Sequence, residues 1–134
     1  MTKAGTHEGG CLCGNVRFSV SGPLEFSAHC HCRSCQKACG AGFATWTGMK
    51  TSSFDVIKGT IKTCETSPGV ERGFCSDCGT SLTYANEGGW PGIISALAVT
   101  IDDPTFVKPG AHVFTSNQQP WIKLDDGLPT SPEF

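Results

Sequence analysis

The sequence predicts a mainly β, antiparallel fold with one short helix, held together by zinc. Three observations predict it. Short apolar runs of strand length recur along the chain, 17 glycines and 8 prolines supply tight reversals between them, and cysteines fall in pairs and a triplet at metal-ligand spacing. At 134 residues the chain is most simply one domain, residues 1–134, large enough for a core and small enough for metals to matter to its stability.

A formal net charge of −2 and a pI near 6.0 give no basic field of the kind nucleic-acid binding needs. No stretch approaches the ~18 apolar residues of a membrane span. Met1-Thr2-Lys3-Ala4-Gly5 and His7-Glu8-Gly9-Gly10 contain no apolar run, so no secretory leader is expected. The expected compartment is the cytoplasm, where thiols stay reduced.

The elements follow in chain order. Val16, Phe18 and Val20 alternate with Arg17 and Ser19 as in a half-buried strand. Ser21-Gly22-Pro23 turns the chain, and Leu24 to His29 returns as a strand that delivers Cys30-His31-Cys32-Arg33-Ser34-Cys35. A short helix is expected from Ser34 to Cys39, ended by Gly40. Strand-length runs follow at 43–47, 54–57, 61–65, 70–74, 81–84, 93–100 and 112–115, punctuated by Gly59, Pro68-Gly69 and Gly88-Gly89. The proline-bearing tail, Leu128 to Pro132, reads as a poorly ordered end.

Nine cysteines is an odd count, which with a reducing compartment argues against a disulfide framework. Cys11-Leu12-Cys13 and Cys75-Ser76-Asp77-Cys78-Gly79 each supply two thiols, and together they make a closed four-cysteine site of the structural zinc type. The alternative for Cys75 and Cys78, a thioredoxin-like redox pair, wants a βαβ context that is not there. Cys30, Cys32 and Cys35 put three thiols within six residues and leave a fourth position open, as catalytic zinc sites do. Cys39, four positions after Cys35 on a helix, is the residue that would close this site and make it structural.

Cys64, in a strand pattern, is expected to pack as a small hydrophobe. His29 and His31 should point away from Cys30 and Cys32 on an extended segment, toward packing or solvent. Arg33 and Lys37 are the nearest cations in sequence, placed either to serve the site or to form a solvated helix face. His112 has no partner identifiable from sequence.

The runs Gly10-Cys11-Leu12-Cys13-Gly14-Asn15-Val16-Arg17-Phe18, Cys30 to Lys37, Gly69 to Leu82, His112-Val113-Phe114, Pro120-Trp121 and Asp126-Gly127-Leu128-Pro129 resemble, in order, the glutathione-dependent formaldehyde-activating enzyme family, which also includes centromere protein V. The resemblance implies an Mss4-like all-β fold and two zinc ions per chain. One would be structural on Cys11, Cys13, Cys75 and Cys78, the other catalytic on Cys30, Cys32 and Cys35. It also implies a carbon-sulfur lyase whose partners are a small-molecule thiol, glutathione, and formaldehyde or another small aldehyde. Cys39 departs from the family pattern, in which a small non-ligating residue is expected there. Zinc carrying three thiolates has a net negative charge, which suits it to a soft fourth ligand such as a thiol more than to generating hydroxide. The other reading is a non-catalytic, zinc-stabilised interaction module with both sites closed.

Overall fold

The computed structural model describes residues 6–134. Met1 to Gly5, part of the stretch behind the expectation of no leader, lie outside the described residues. The elements are β1 (Thr6–Gly10), β2 (Arg17–Ser21), β3 (Phe26–Cys30), α1 (Arg33–Cys39), β4 (Ala44–Lys50), β5 (Phe54–Lys58), β6 (Lys62–Ser67), β7 (Val70–Phe74), β8 (Ser81–Asn86), β9 (Ile93–Leu97) and β10 (His112–Val113). They form a three-stranded sheet in the order β1-β2-β5 and a seven-stranded sheet in the order β10-β3-β4-β9-β8-β7-β6. The fold is mainly β, with one α-helix among the described residues, as the sequence predicts. No helix among the described residues is long and apolar enough to cross a membrane.

Alternation along the strands sorts side chains onto two faces of the large sheet. On one face Met49, Leu82 and Ala96 meet Phe18 and Val20 of the small sheet, together with Val16, Cys11, Cys75 and Ile101. On the other, Ala28, Cys30, Trp46, Leu97 and Val113 form a second buried cluster with Cys35 of α1. The first cluster is the core between the sheets; the second underlies the three-cysteine segment. Burying these side chains contributes roughly 1.5–3 kcal/mol for each large apolar one.

The helix starts one residue earlier than expected. Its N-cap is Cys32, whose sulfur accepts the Cys35 N–H at 3.3 Å, and it ends at Gly40, held left-handed at φ 63° with its N–H on the Gln36 carbonyl.

Five sequence expectations are corrected. β1 was not expected, because His7-Glu8-Gly9-Gly10 offers no apolar alternation; the strand exists through backbone pairing with β2 in register from Thr6↔Ser21 to Gly10↔Arg17. The run at 93–100 is a strand only to Leu97, then a single turn over Ala98–Thr100. The run at 112–115 is strand only over His112–Val113, which pairs parallel with β3 against the antiparallel rule, and Phe114 turns left-handed at φ 57°. Cys64 is exposed on β6, whose six residues all face solvent, rather than packed.

The fifth correction is the tail, which is ordered. The Pro129 carbonyl accepts the His112 N–H at 2.9 Å, the Ser131 N–H returns to the His112 carbonyl at 2.9 Å, and the Phe114 N–H reaches Glu133 at 3.0 Å. Proline lacks a donor but keeps its carbonyl, so a proline-bearing segment can still accept from an edge strand.

Candidate functional site

Two turns bring four sulfurs together. Cys11 and Cys13 stand between β1 and β2, and Cys75 and Cys78 follow β7; all four sulfurs lie within 4.8 Å of one another. Cys11 Sγ is 3.6 Å from Cys13 Sγ, and Cys13 Sγ is 3.8 Å from Cys75 Sγ, across 62 positions of sequence. A disulfide needs about 2.05 Å. Four sulfurs about 2.3 Å from a tetrahedral zinc stand about 3.8 Å apart, so the observed spacing fits a metal ion. The Val16 N–H donates to Cys11 Sγ at 3.2 Å, and the Thr80 hydroxyl lies 3.2 Å from Cys78 Sγ. The Thr80 hydroxyl and backbone hold the Cys78 thiol down, to about 5.

Cys30 ends β3, Cys32 caps α1 and Cys35 lies in its first turn, and their three sulfurs also fall within 4.8 Å of one another. Cys35 is held far below the ordinary thiol range by hydrogen bonds from Cys30 and Cys32, and less strongly by Trp46 and the Arg72 charge. Cys39 is not part of this sulfur cluster; it is half-buried against the second core cluster. Both cysteine sets can hold a metal ion, one with four sulfurs and one with three.

The nearest cation among the described residues is Arg72. Its two guanidinium nitrogens lie 4.0 and 3.9 Å from Cys35 Sγ, and the group sits over the Tyr84 ring, 4.9 Å from the centroid. Arg33 turns instead to the side chain of Gln36, and Lys37 is exposed. Arg72 was missed because it lies in a strand 37 positions from Cys35 and has no motif of its own.

The three sulfurs open into a pocket of about 150 Å³, lined besides them by Phe26, Ala28, Trp46, Arg72, Tyr84, Trp90, Ser95, Val113, Phe114 and Phe134. Among the described residues, Arg72 is the one with a charged side chain in that lining.

On the opposite face of β3 the histidines form a chain. His31 Nε2 is 2.9 Å from His112 Nδ1, and His112 Nε2 is 2.8 Å from Asp126 Oδ2. An ionised carboxylate only accepts, so His112 donates to Asp126 through Nε2. His31 Nδ1 is buried without a hydrogen-bond partner among the described residues. Burial and the neighbouring His112 lower the His31 pKa, which keeps this ring neutral. His29 stacks on His112 with ring centroids 4.5 Å apart and bonds Thr45 Oγ1 at 2.8 Å. The histidines therefore point away from the sulfurs, as expected, but His31 is fully buried and hydrogen-bonded. Gln36 ties the segment down by donating to the carbonyls of His31 and Asn117.

The sequence pattern of the glutathione-dependent formaldehyde-activating enzymes matches residues 6–117. The chain belongs to that family. A Halomonas elongata protein that carries the provisional name of glutathione-dependent formaldehyde-activating enzyme is 30% identical over 128 residues, 88% of this chain and 80% of its own length. An uncharacterised lyase of Schizosaccharomyces pombe is 29% identical over 83 residues, covering 62% of this chain and 60% of that protein. The fold is also that of a Rhodobacter sphaeroides crystal structure, with a TM-score of 0.60 at 20% identity over 76% of this chain and 91% of the other. As a member of the formaldehyde-activating family, the chain belongs among enzymes. Its two cysteine clusters are the chemistry that this membership has to explain.

Proposed function

We propose that the chain joins a thiol such as glutathione to formaldehyde or another small aldehyde, as a carbon-sulfur lyase acting in the synthetic direction, at the site formed by Cys30, Cys32 and Cys35. The observation that carries this reading is the three-sulfur cluster without a fourth cysteine, opening into a pocket that also holds Arg72. Cys30, Cys32 and Cys35 are the residues that would hold a catalytic zinc, and Cys11, Cys13, Cys75 and Cys78 those that would hold a structural one. Zinc bound at the first set would favour a soft thiolate sulfur over hydroxide.

In the reaction the thiol sulfur bonds to the carbonyl carbon, the π pair moves onto oxygen, and the thiol proton ends on that oxygen. The residues do three things. The pocket walls exclude water and hold the carbonyl beside the sulfurs, which replaces a diffusive encounter by a positioned one. Arg72 offsets the negative charge that develops on oxygen. The hydrogen-bonded chain from buried His31 and His112 to exposed Asp126 fixes the peptide between Cys30 and Cys32 from behind. A cytoplasmic setting suits the reduced thiols. The closed-module alternative needs Cys39 as a fourth ligand, and Cys39 lies outside the sulfur cluster.

Glutathione titrated into cobalt-loaded wild type and Cys39→Ser tests the reading, because thiolate-to-metal absorption reports coordination. The same rise in both proteins, with acceleration of glutathione–formaldehyde exchange by the zinc-loaded protein in NMR, is the expected result. No spectral change at millimolar glutathione and no acceleration would sink it.

A further inference from the structure

The pocket beside the three sulfurs is built by one cross-strand row. Phe26 pairs with Gly48, Gly48 with Ser95, Ser95 with Tyr84, and Tyr84 with Arg72, so five consecutive strands present these residues side by side on one face. The Phe26 ring lies over Gly48, which carries no side chain, and the room left in the row is over Ser95, a small residue. Phe26 and Tyr84 wall it at either side. Ala28, two residues from Phe26 toward Cys30, is small as well, so the hollow continues to the sulfurs. Trp90 and Phe134 close it with a ring cluster: Phe26 and Trp90 centroids are 5.4 Å apart, and those of Trp90 and Phe134 are 4.7 Å apart.

Formaldehyde has only hydrogens on its carbonyl carbon and would leave these rings facing water. The whole pocket, its sulfur end included, measures about 150 Å³, the size at which an apolar protein cavity takes up one benzene molecule, which limits the substituent to one group of that size at most. Glutathione carries two carboxylates and an amine close to its sulfur, and a lining in which Arg72 has the single charged side chain among the described residues gives those groups little reason to enter. The space is thus left for the substituent on the aldehyde.

We propose that the preferred aldehyde carries one phenyl-sized apolar group, seated among Phe26, Ala28, Trp46, Tyr84 and Trp90 while the carbonyl stands at Cys30, Cys32, Cys35 and Arg72. This rests on the carbon-sulfur bond-forming reading of the same site. The step is the addition already described: the sulfur–carbon bond forms, the carbon–oxygen π bond breaks, the proton passes to oxygen, and no oxidant or leaving group is involved.

The experiment compares formaldehyde, acetaldehyde and phenylacetaldehyde with glutathione on the zinc-loaded protein, following exchange by NMR, and titrates 2-phenylethanol, which has the ring but no carbonyl, against tryptophan fluorescence. Phenylacetaldehyde should exceed acetaldehyde in kcat/KM by at least about tenfold, and 2-phenylethanol should bind and compete with it. Ala28→Leu, which fills the hollow, and Trp90→Ala, which unroofs it, should each lower the ratio of phenylacetaldehyde to acetaldehyde at least about tenfold. Either variant suffices if the other fails to fold. A wild-type ratio at or below one, with no binding of 2-phenylethanol, overturns the proposal while leaving the carbon-sulfur reaction intact. If no aldehyde reacts at all, the reaction itself falls, and the phenylethanol titration alone then decides the pocket: binding lost in Ala28→Leu supports the ring site, and no binding overturns it.

Discussion

The ring of Phe26 occupies the space that a side chain on Gly48, its partner across β3 and β4, would fill: a Cβ built on Gly48 overlaps that ring. The glycine is needed for room and not for a turn, since its backbone is ordinary strand. Phe26 in turn meets Trp90 edge-on, so one missing methyl group in β4 sets the shape of a wall 42 positions further along the chain.

Gly48→Ala should therefore push the Phe26 ring from its place and cost about 1–3 kcal/mol, the usual range for overpacking. Phe26→Leu in the same chain should recover part of that loss, giving a clear coupling energy in a double-mutant cycle. Additive losses, with unchanged Trp90 fluorescence, would show that the two residues do not contest this space.

The two cysteine sets should differ in what they hold. Cys13 and Cys75 are 62 positions apart in sequence and tie the entrance of β2 to the end of β7. Cys30, Cys32 and Cys35 close only a local loop. Structural zinc binding contributes ~10 kcal/mol or more to small domains, so Cys75→Ser should unfold or aggregate the protein. Cys32→Ser should lose activity and one metal equivalent yet keep most of its circular dichroism. Equal structural loss in both variants would count against this division.

How much of this was legible in the sequence depends on the range of the signal. The cysteine sets were legible because each half-site is local: Cys11 with Cys13, Cys75 with Cys78, and Cys30, Cys32 and Cys35 within six residues. So was α1, whose end is marked by Gly40. Arg72 was not, since it reaches Cys35 from a strand of the large sheet 37 positions away, and nothing in Val70-Glu71-Arg72-Gly73 announces a partner. The chain of His31, His112 and Asp126 was hidden for the same reason, because it depends on β10 lying parallel to β3. β1 and the tail escaped because backbone groups hold them: glycines pair in one and proline carbonyls accept in the other.

Asp126 gives the fold a pH dependence of definite sign. The hydrogen bond from His112 holds its carboxyl below the usual range, with a smaller contribution from the Leu128 N–H. The folded pKa thus lies below the unfolded value of about 3.9. Its stabilising contribution is complete above that value and disappears as pH falls through the folded pKa, where the unfolded chain has taken up a proton that the native carboxylate still refuses. Asp126→Asn should lower the Tm by a constant amount between pH 5 and 7, with the gap to wild type closing below about pH 4. A gap that stays fully open well below pH 4 would show that His112 does not stabilise the Asp126 carboxylate.

Arg72 should be the residue through which charge on the substrate is felt. Its guanidinium lies beside Cys35 Sγ and over the Tyr84 ring, so it is held in place without a carboxylate partner among the described residues. If it offsets charge developing on the aldehyde oxygen, Arg72→Gln should lower kcat by about a hundredfold, with little change in KM for either substrate, because that charge is present only as the bond forms. Arg72→Lys should recover part of the loss, since a point charge on a flexible stem replaces the positive charge but not the planar fork. Metal content should stay at the wild-type value in both variants. A raised KM for glutathione with kcat unchanged would assign Arg72 to a substrate carboxylate and remove it from the bond-forming step.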